Sequence, residues 1–207
     1  MTPAAPLPPP GRRDGPGDGV REVVVTDLQM LAPTQLRAAR APQLLAELVR
    51  AARPAPEFSR FLYRAVGGDW YWLDRLDWTL EQWRAWVGDP GYVLHSAWVD
   101  GVPAGYVELL SVPRPDAAAA DVEIAYFGLL PGFAGHGLGG WLLTRAVEAA
   151  WALPGTARVW LHTCELDSPA ALGNYRARGF EPCGTSTEWW DTRAPSPGPW
   201  RGSRGEF

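Results

Sequence analysis

Glycines in the second half of the chain have the spacing of an anion-binding loop. The segment 121–141 reads DVEIAYFGLLPGFAGHGLGGW, in which a predicted strand ends at Leu130 and a Pro-Gly turn follows. A predicted helix then opens with the sequence Gly135-His136-Gly137-Leu138-Gly139-Gly140. Glycine leaves backbone N–H groups open to a phosphate, and a helix N-terminus adds unpaired donors and a partial positive charge. We therefore predict that this loop holds a phosphate group.

The same glycines also fit the GxGxxG spacing of a dinucleotide-binding site. Gly135, Gly137 and Gly140 match it, and the acid Glu165 follows the next predicted strand. Residues 131–134 separate the glycines from the strand, whereas in that site the glycines follow the strand directly. The loop also lies late in the chain, and too few folded residues follow the next predicted strand for further βα units. These features disfavour a dinucleotide site, and a purely structural glycine turn is the third interpretation.

Two side chains on predicted strands could accept a proton. His162, in the run WLHTC, carries an imidazole whose ordinary pKa of about 6.5 lies near neutral pH. Glu123 lies on the strand before the glycines, and strand alternation predicts that it shares a face with Ala125 and Phe127. A structural histidine and an exposed or salt-bridged glutamate are the alternatives. Other ionisable side chains, which we rank lower, are Glu108, Asp167 and His95.

The elements that must position these residues combine hairpins with crossover helices. Predicted strands cover 21–26, 92–99, 102–110, 121–130, 158–164 and 188–191. Predicted helices cover 34–52, 79–87, 138–153 and 168–177, with Thr79 and Ser168 as N-caps. Asp100-Gly101 is a predicted hairpin turn, because both residues tolerate positive φ. This mixture predicts an α+β, or mixed α/β, fold.

Composition limits the classes of protein to which the chain could belong. Its 207 residues are 46% hydrophobic, which suits one domain over residues 21–193. The Pro/Gly-rich segments 1–20 and 194–207 are predicted to be disordered. A net charge of −4 argues against nucleic acid as a partner. No apolar run approaches the roughly 18 residues that span a bilayer, and no secretory signal precedes the domain, so we expect a cytoplasmic protein without a membrane partner.

Residue types also exclude some chemistry. Two cysteines, Cys164 and Cys183, are too few for a disulfide framework or a zinc site, and we predict no metal. All 19 basic residues are arginine. No lysine is therefore present to act as a base, as a covalent amine or as a P-loop phosphate ligand.

Two motifs resemble those of the GNAT (Gcn5-related N-acetyltransferase) superfamily. The family's pyrophosphate loop has the pattern R/Q-x-x-G-x-G/A, which the segment 134–139 fits with Ala134 in place of Arg or Gln. A helix ending in Tyr-x-x-x-Gly-Phe follows, here SPAALGNYRARGF with Tyr175. The runs VEIAYFGLLP and WLHTCELDSPAAL also resemble a bacterial subgroup. The resemblance implies a mixed, mostly antiparallel sheet flanked by helices.

The resemblance implies that the chain binds acetyl-CoA. The strand before the loop would bind the pantetheine arm as an added strand, and backbone N–H groups of the loop would bind the pyrophosphate. His136 is a candidate to compensate for the missing Arg or Gln, with an exposed loop residue as the alternative. The predicted cofactor contacts are Phe127, Gly128, Leu129, Leu130, Ala134, Gly135, His136, Gly137, Leu138, Gly139, Gly140 and Ser168.

The resemblance also assigns catalytic roles. Tyr175 matches the family's tyrosine that protonates the leaving thiolate, and a phenol pKa of about 10 suits that task. A core tyrosine is the alternative. Glu123 precedes Ala134 by the offset at which histone-type members carry their catalytic glutamate, so it is the first candidate for the base. His162 is the second.

An aromatic segment between the first helices completes the predicted site. The family places its acceptor pocket there, and the run Trp70-Tyr71-Trp72-Leu73-Asp74-Arg75 supplies Trp70, Trp72 and Asp74 as predicted pocket residues. Aromatic faces beside a carboxylate suit a small aromatic or hydrophobic amine. Packing of these residues in the core is the alternative.

Together these features predict an N-acyltransferase. It would move an acetyl group from acetyl-CoA to a primary amine of a small molecule or peptide, by direct attack in a ternary complex. The alternatives are a non-catalytic module that binds acyl-CoA, and an acyltransferase that uses a longer acyl or an aminoacyl donor. The sequence also allows a homodimer.

Overall fold

A single sheet of eight strands runs through the computed structural model, which describes residues 12–115 and 118–192. Its strands are β1 (Arg12–Arg13), β2 (Val20–Met30), β3 (Ala46–Arg50), β4 (Tyr92–Val99), β5 (Val102–Pro113), β6 (Ala120–Leu129), β7 (Thr156–Cys164) and β8 (Glu181–Asp191). The α-helices of the described residues are α1 (Pro56–Gly67), α2 (Leu80–Val87), α3 (Leu138–Trp151) and α4 (Ala171–Ala177).

The strands are ordered β1-β8-β2-β7-β6-β5-β4-β3 across the sheet. Every neighbouring pair is antiparallel except β6 with β7. That parallel pair is short, because it joins Ala120–Glu123 to Thr156–Trp160 and the described strands pair no further. The predicted α+β fold with a mixed, mostly antiparallel sheet is confirmed. The two parallel strands leave a gap in the sheet beyond Glu123 and Trp160.

Helices cover both faces of the sheet. On one face α3 and α4 pack on the largest apolar cluster, which includes Leu143, Val147 and Tyr175 together with Ile124 of β6. On the other face α1 packs through Leu62 and Val66 on β4, β5 and β6. The gap between β6 and β7 therefore lies between two packed helical layers.

The predicted helix 34–52 is wrong. The chain instead makes a short 3-10 turn at Pro33–Gln35, continues without regular structure and enters β3 at Ala46. Backbone N–H groups of this segment donate to other elements, with Arg37 N bonded to the Arg178 carbonyl at 3.0 Å and Gln43 N to the His136 carbonyl at 3.0 Å. Such tertiary bonds override a helical composition, and Pro42 would interrupt a helix.

Of the three local predictions at turns and helix caps, two are confirmed and one is wrong. Thr79 caps α2 as predicted, because its hydroxyl accepts from Gln82 N at 3.3 Å. Asp100 and Gly101 have φ values of 50° and 80°, which confirms the hairpin turn. Ser168 is not the cap of α4, which begins at Ala171 with Ala170 in the cap position.

The predicted disordered segment 1–20 needs correction where it is described. Arg12–Arg13 form β1 at the sheet edge, paired with Trp190 and Trp189 of β8. Residues 1–11 and 193–207, and with them the predicted tail 194–207, lie outside the described residues. The first predicted strand extends to Val20–Met30 and lies inside the sheet, between β8 and β7.

Candidate functional site

A cavity of about 780 Å³ opens where β6 and β7 stop pairing. Backbone and side chains of β6 form one side, and His162 and Cys164 of β7 form another. Two loops complete it: the glycine loop, residues 134–140, and the aromatic loop, residues 68–78. The first residues of α4 and the loop before it also line the cavity.

A β-bulge changes which way the β6 side chains point. Ile124 pairs with Leu109 and Tyr126 pairs with Glu108, so Ala125 is an extra residue in β6. Phe127 consequently packs into the same apolar cluster as Ile124. The prediction that Glu123 shares a face with Phe127 is therefore wrong, because the bulge reverses the alternation between them.

The glycine loop follows a 3-10 turn at Pro131–Phe133 and leads into α3. Gly135 and Gly137 have φ values of 87° and 77°, which side-chain-bearing residues rarely adopt. Among the described residues, no side chain caps the N-terminus of α3, where Gly137 is the cap residue. The first-turn N–H groups therefore lack a side-chain cap and can bind an anion.

Most of the predicted cofactor contacts line the cavity. The nine that do so are Phe127, Gly128, Leu129, Ala134, Gly135, Gly137, Gly139, Gly140 and Ser168. Leu130, His136 and Leu138 do not. Leu130 packs with the cluster on the α1 side, and Leu138 is fully buried. Gly128 is required by packing, because a Cβ there would collide with Val66 of α1.

Tyr175 lies on α4 with its side chain almost buried and still lines the cavity. Its ring contacts Phe127 and Phe180, with centroid separations of 6.1 and 6.3 Å. Burial raises the pKa of the Tyr175 phenol well above its usual value, and the nearby Asp167 carboxylate raises it further. The hydroxyl therefore stays protonated at neutral pH and can donate a proton or a hydrogen bond.

The two predicted bases lie side by side. Nδ1 of His162 is 3.7 Å from Oε1 of Glu123, and the two side chains are 53% and 17% exposed. Burial raises the pKa of Glu123, while His162 and then Arg75 oppose that shift. His162 reaches the cavity lining, whereas Glu123 lies behind it. The pair can accept a proton from the cavity through the imidazole.

The aromatic loop brings all three predicted acceptor residues, Trp70, Trp72 and Asp74, to the cavity. The Trp72 indole N–H donates to Oδ1 of Asp167 at 3.3 Å and so joins this loop to the segment before α4. Asp74 already accepts hydrogen bonds from the phenols of Tyr63 and Tyr126. Asp74 therefore also has a structural role, which is to anchor these two tyrosines, in addition to its predicted role as a counter-charge for an amine.

A buried ion pair behind the aromatic loop was not predicted. Arg75 Nη1 lies 2.9 Å from Oε2 of Glu108, whose side chain is fully buried. The guanidinium carbon lies 3.8 Å from the ring centroid of Trp86 and 4.1 Å from that of Tyr126. Glu108 also accepts from Tyr92, Trp86 and Ser59. Glu108 is therefore a structural residue. In the sequence, the one sign of this arrangement is that Arg75, the single arginine of the aromatic loop, lies among tryptophans that can pack on its guanidinium.

Other kinds of site find no support in residues 12–115 and 118–192. No group of three or more His, Cys, Asp and Glu side chains there is arranged to hold a metal ion. Neither cysteine is in a disulfide. None of the helices in this part of the chain is both long and apolar enough to cross a bilayer.

Comparisons with known proteins agree with this geometry. Residues 43–180, more than half of the chain, match the family described as "Acetyltransferase (GNAT) family". A search of curated proteins finds no match. A GCN5-related N-acetyltransferase from Kribbella flavida is similar in structure at 20% identity and a TM-score of 0.56, covering 85% of this chain and 61% of that one. The chain thus spans less than two thirds of that protein's length.

Two further solved structures have the same fold. A tandem GNAT protein from the clavulanic acid biosynthesis pathway is 20% identical, with a TM-score of 0.53 over 86% of this chain and 54% of that one. An aminoglycoside acetyltransferase from an uncultured soil metagenomic sample is 13% identical, with a TM-score of 0.50 over 64% and 86%. The matched family model and the shared fold lead to one conclusion: the chain belongs to the acetyltransferase (GNAT) family.

Proposed function

We propose that this chain is a cytoplasmic N-acetyltransferase that uses acetyl-CoA and a primary amine of a small molecule or peptide. The observation that carries the proposal is the cavity between the diverging strands β6 and β7. It joins a glycine loop able to bind phosphate to a buried, protonated tyrosine and to a carboxylate–imidazole pair. The proposed reaction needs no metal, nucleic acid or membrane partner.

The lining of the cavity fits an extended cofactor. Beyond Glu123, none of the described strands pairs with β6 on its β7 side, so the backbone of Phe127, Gly128 and Leu129 can pair with the amides of a pantetheine arm. A backbone N–H there would also stabilise the oxyanion of the tetrahedral intermediate, an effect of about 10²–10³ in rate. The glycine loop would bind the pyrophosphate through backbone N–H groups.

The chemistry then requires two proton transfers. The amine nitrogen attacks the thioester carbonyl carbon, a C–N bond forms and the C–S bond breaks. The amine gives up its proton toward His162, with Glu123 behind it, and Tyr175 protonates the thiolate. Deprotonating an α-amine with a pKa near 8 costs only about 1–1.5 kcal/mol at pH 7, whereas a Lys-like amine costs about 4–5 kcal/mol.

The acceptor side of the cavity favours a cationic amine with an apolar body. Trp70, Trp72 and Trp190 supply aromatic surface, and Asp74 and Asp167 contribute negative charge. Aromatic faces and carboxylates attract an ammonium group together. An α-amine or a small aromatic or hydrophobic amine fits this lining.

Calorimetry with acetyl-CoA, followed by a thiol-release assay over a panel of amines, tests the proposal. We expect binding of acetyl-CoA and release of CoA that depends on the amine. Absence of acetyl-CoA binding would overturn the proposal. Binding without release on any amine would favour the non-catalytic module, and release only from longer acyl or aminoacyl thioesters would favour the other donor class.

A further inference from the structure

Tyr71, in the middle of the aromatic loop, has a backbone conformation that bulky residues rarely adopt. Its φ is 58°, in the left-handed region where the Cβ atom of an L-residue crowds the backbone. Among the described residues other than glycine, Asp100 alone shares a positive φ, and its short polar side chain suits the hairpin turn in which it lies. Tyrosine has no such side chain, so the conformation of Tyr71 is strained.

The turn at Tyr71 brings three consecutive aromatic side chains to one cavity. Trp70, Tyr71 and Trp72 all line it. Successive side chains point to opposite sides of an extended segment and are turned by about 100° from each other in a helix, so neither regular backbone directs three in a row to the same place. The left-handed residue changes the direction of the chain between its two tryptophan neighbours and permits this arrangement.

Contacts on both sides of Tyr71 hold the strained conformation in place. Before it, the backbone N–H of Trp70 donates to the carbonyl of Gly67 at 2.9 Å. After it, Trp72 packs against Gly67, where a Cβ would collide with both the ring and the Cβ of Trp72. The Trp72 indole also donates to Asp167, in the segment before α4. Both neighbours are therefore fixed, and the residue between them keeps its left-handed conformation.

The fold does not require a tyrosine at this position. Glycine or asparagine adopts a positive φ at lower cost. The side chain of Tyr71 is half-buried and belongs to none of the three apolar clusters of the described residues, whereas Trp72 packs against one of them. Strain that the rest of the structure outweighs is typical of ligand-binding sites. A strained aromatic residue at the cavity therefore indicates a role in binding.

We propose that Tyr71 is a specificity-determining residue of the acceptor site. Its ring forms a third aromatic wall which, with Trp70 and Trp72, selects primary amines that have a flat apolar body. The inference rests on the proposed function, because it assumes that the amine occupies the aromatic end of the cavity. Packed aromatic rings attract each other more strongly than their buried area alone explains. Asp74 of the same loop also lines the cavity and attracts the ammonium group, so the wall recognises the body of the acceptor rather than its nitrogen.

Two amines that differ by one aromatic ring test this assignment. The selectivity is the ratio of kcat/KM for phenethylamine to kcat/KM for ethylamine, measured by release of CoA from acetyl-CoA. We expect the wild type to prefer phenethylamine. Tyr71→Gly should lower the ratio about 2- to 10-fold, the factor that corresponds to one aromatic pair contact. Tyr71→Phe keeps the ring and should keep the ratio.

A second measurement tests the strain itself. Tyr71→Gly and Tyr71→Ala both remove the ring, but glycine adopts a positive φ without strain and alanine does not. The urea midpoint of unfolding should therefore be higher for Tyr71→Gly than for Tyr71→Ala. Asp100 is the matched control, because it also has a positive φ but does not line the cavity. Its glycine variant should likewise be more stable than its alanine variant, with the selectivity ratio unchanged in both.

Each outcome supports or overturns the inference. A lower ratio for Tyr71→Gly, with the acetyl-CoA Kd unchanged, supports it. An unchanged ratio, or a wild type that does not prefer phenethylamine, overturns it while the proposed function stands. A weaker acetyl-CoA affinity of Tyr71→Gly would place the ring against the cofactor and overturn it, as would a midpoint lower than that of Tyr71→Ala. If the wild type releases CoA with none of the amines, the proposed function fails as well.

Discussion

The glycine loop and the aromatic loop line the same cavity but are held there by different interactions. The glycine loop takes its shape from backbone conformation, with positive φ at Gly135 and Gly137 and an uncapped helix behind it. The aromatic loop is held by side chains, because Arg75 pairs with Glu108 inside a set of aromatic rings. One side of the cavity thus depends on local sequence, and the other on residues that are far apart in the chain.

This difference leads us to expect that the two loops respond differently to substitution. Damage to the aromatic loop should first reduce stability, since its anchor is a buried ion pair, and should then reduce acceptor binding. Substitutions in the glycine loop should instead weaken the binding of acetyl-CoA.

Breaking the buried ion pair should cost the most. Arg75→Met leaves the carboxylate of Glu108 buried without its cation, and such losses typically cost about 3–5 kcal/mol of the free energy of unfolding. Urea denaturation measures this. The control is Arg145→Met, which breaks an exposed pair with Glu148 and should cost about 0–1 kcal/mol. Similar losses for both variants would contradict the assigned role.

Removing the hydroxyl of Tyr175 should lower kcat without weakening the binding of acetyl-CoA. We expect Tyr175→Phe to reduce kcat by about 10²-fold, at the low end of general acid–base effects, with the acetyl-CoA Kd nearly unchanged. Because burial raises the pKa of this phenol, the effect should persist across the neutral pH range. Tyr106→Phe is the control, since that buried hydroxyl has no hydrogen-bond partner among the described residues. If Tyr175→Phe had the same kcat as the wild type, Tyr175 would not be the proton donor.

Truncating Trp72 should change the KM of the acceptor much more than the KM of acetyl-CoA. Trp72→Ala removes an aromatic side of the cavity and the hydrogen bond to Asp167, so we expect the acceptor KM to rise about 10-fold or more, as for loss of a desolvated aromatic contact. The acetyl-CoA KM should change much less. Trp98→Ala, on β4 outside the cavity, is the control. Equal changes in both KM values would mean that Trp72 only packs.

Replacing Glu123 should have the smallest effect. The pKa of Glu123 is raised, so its basic form is lost as pH falls through that raised value. Glu123→Gln should remove this acidic limb of the kcat/KM profile and lower activity on an α-amine by at most about tenfold, the factor that corresponds to about 1–1.5 kcal/mol. An unchanged acidic limb would exclude Glu123 as the base.

The same variant has an effect on stability whose sign follows from linkage. A carboxyl whose pKa is raised by folding favours the native state below its unfolded pKa, and this contribution is lost as pH rises through the folded pKa. Glu123→Gln should therefore stabilise the protein relative to wild type at neutral pH and lose that advantage in acid. Unfolding midpoints measured across this range check the sign.

Local signals in the sequence predicted much of the fold and one side of the site. The Asp100-Gly101 turn, the Thr79 cap and the glycine spacing each act through neighbouring residues, and the structure has all three. The helix predicted over 34–52 failed because the partners of its N–H groups lie on other elements, as with Arg37 and Arg178.

The rest required information that the sequence does not carry locally. The bulge at Ala125 is set by pairing with β5, and it alone turns Phe127 away from the face of Glu123. The role of Glu108 depends on Arg75, which lies 33 residues earlier in the chain. Periodicity within one segment cannot reveal either relation.

The position of β2 has a consequence for how the protein is made. Val20–Met30 leaves the ribosome before its neighbours, but it pairs with β7 and β8, which are synthesised last among the described strands. Its run of three valines has no native partner until β7 and β8 have been made, and during that time it is open to pairing with other chains. Closing this part of the sheet must wait for the last-made strands, and such long-range pairing slows folding. The yield of folded protein should therefore depend on how long the nascent β2 is protected.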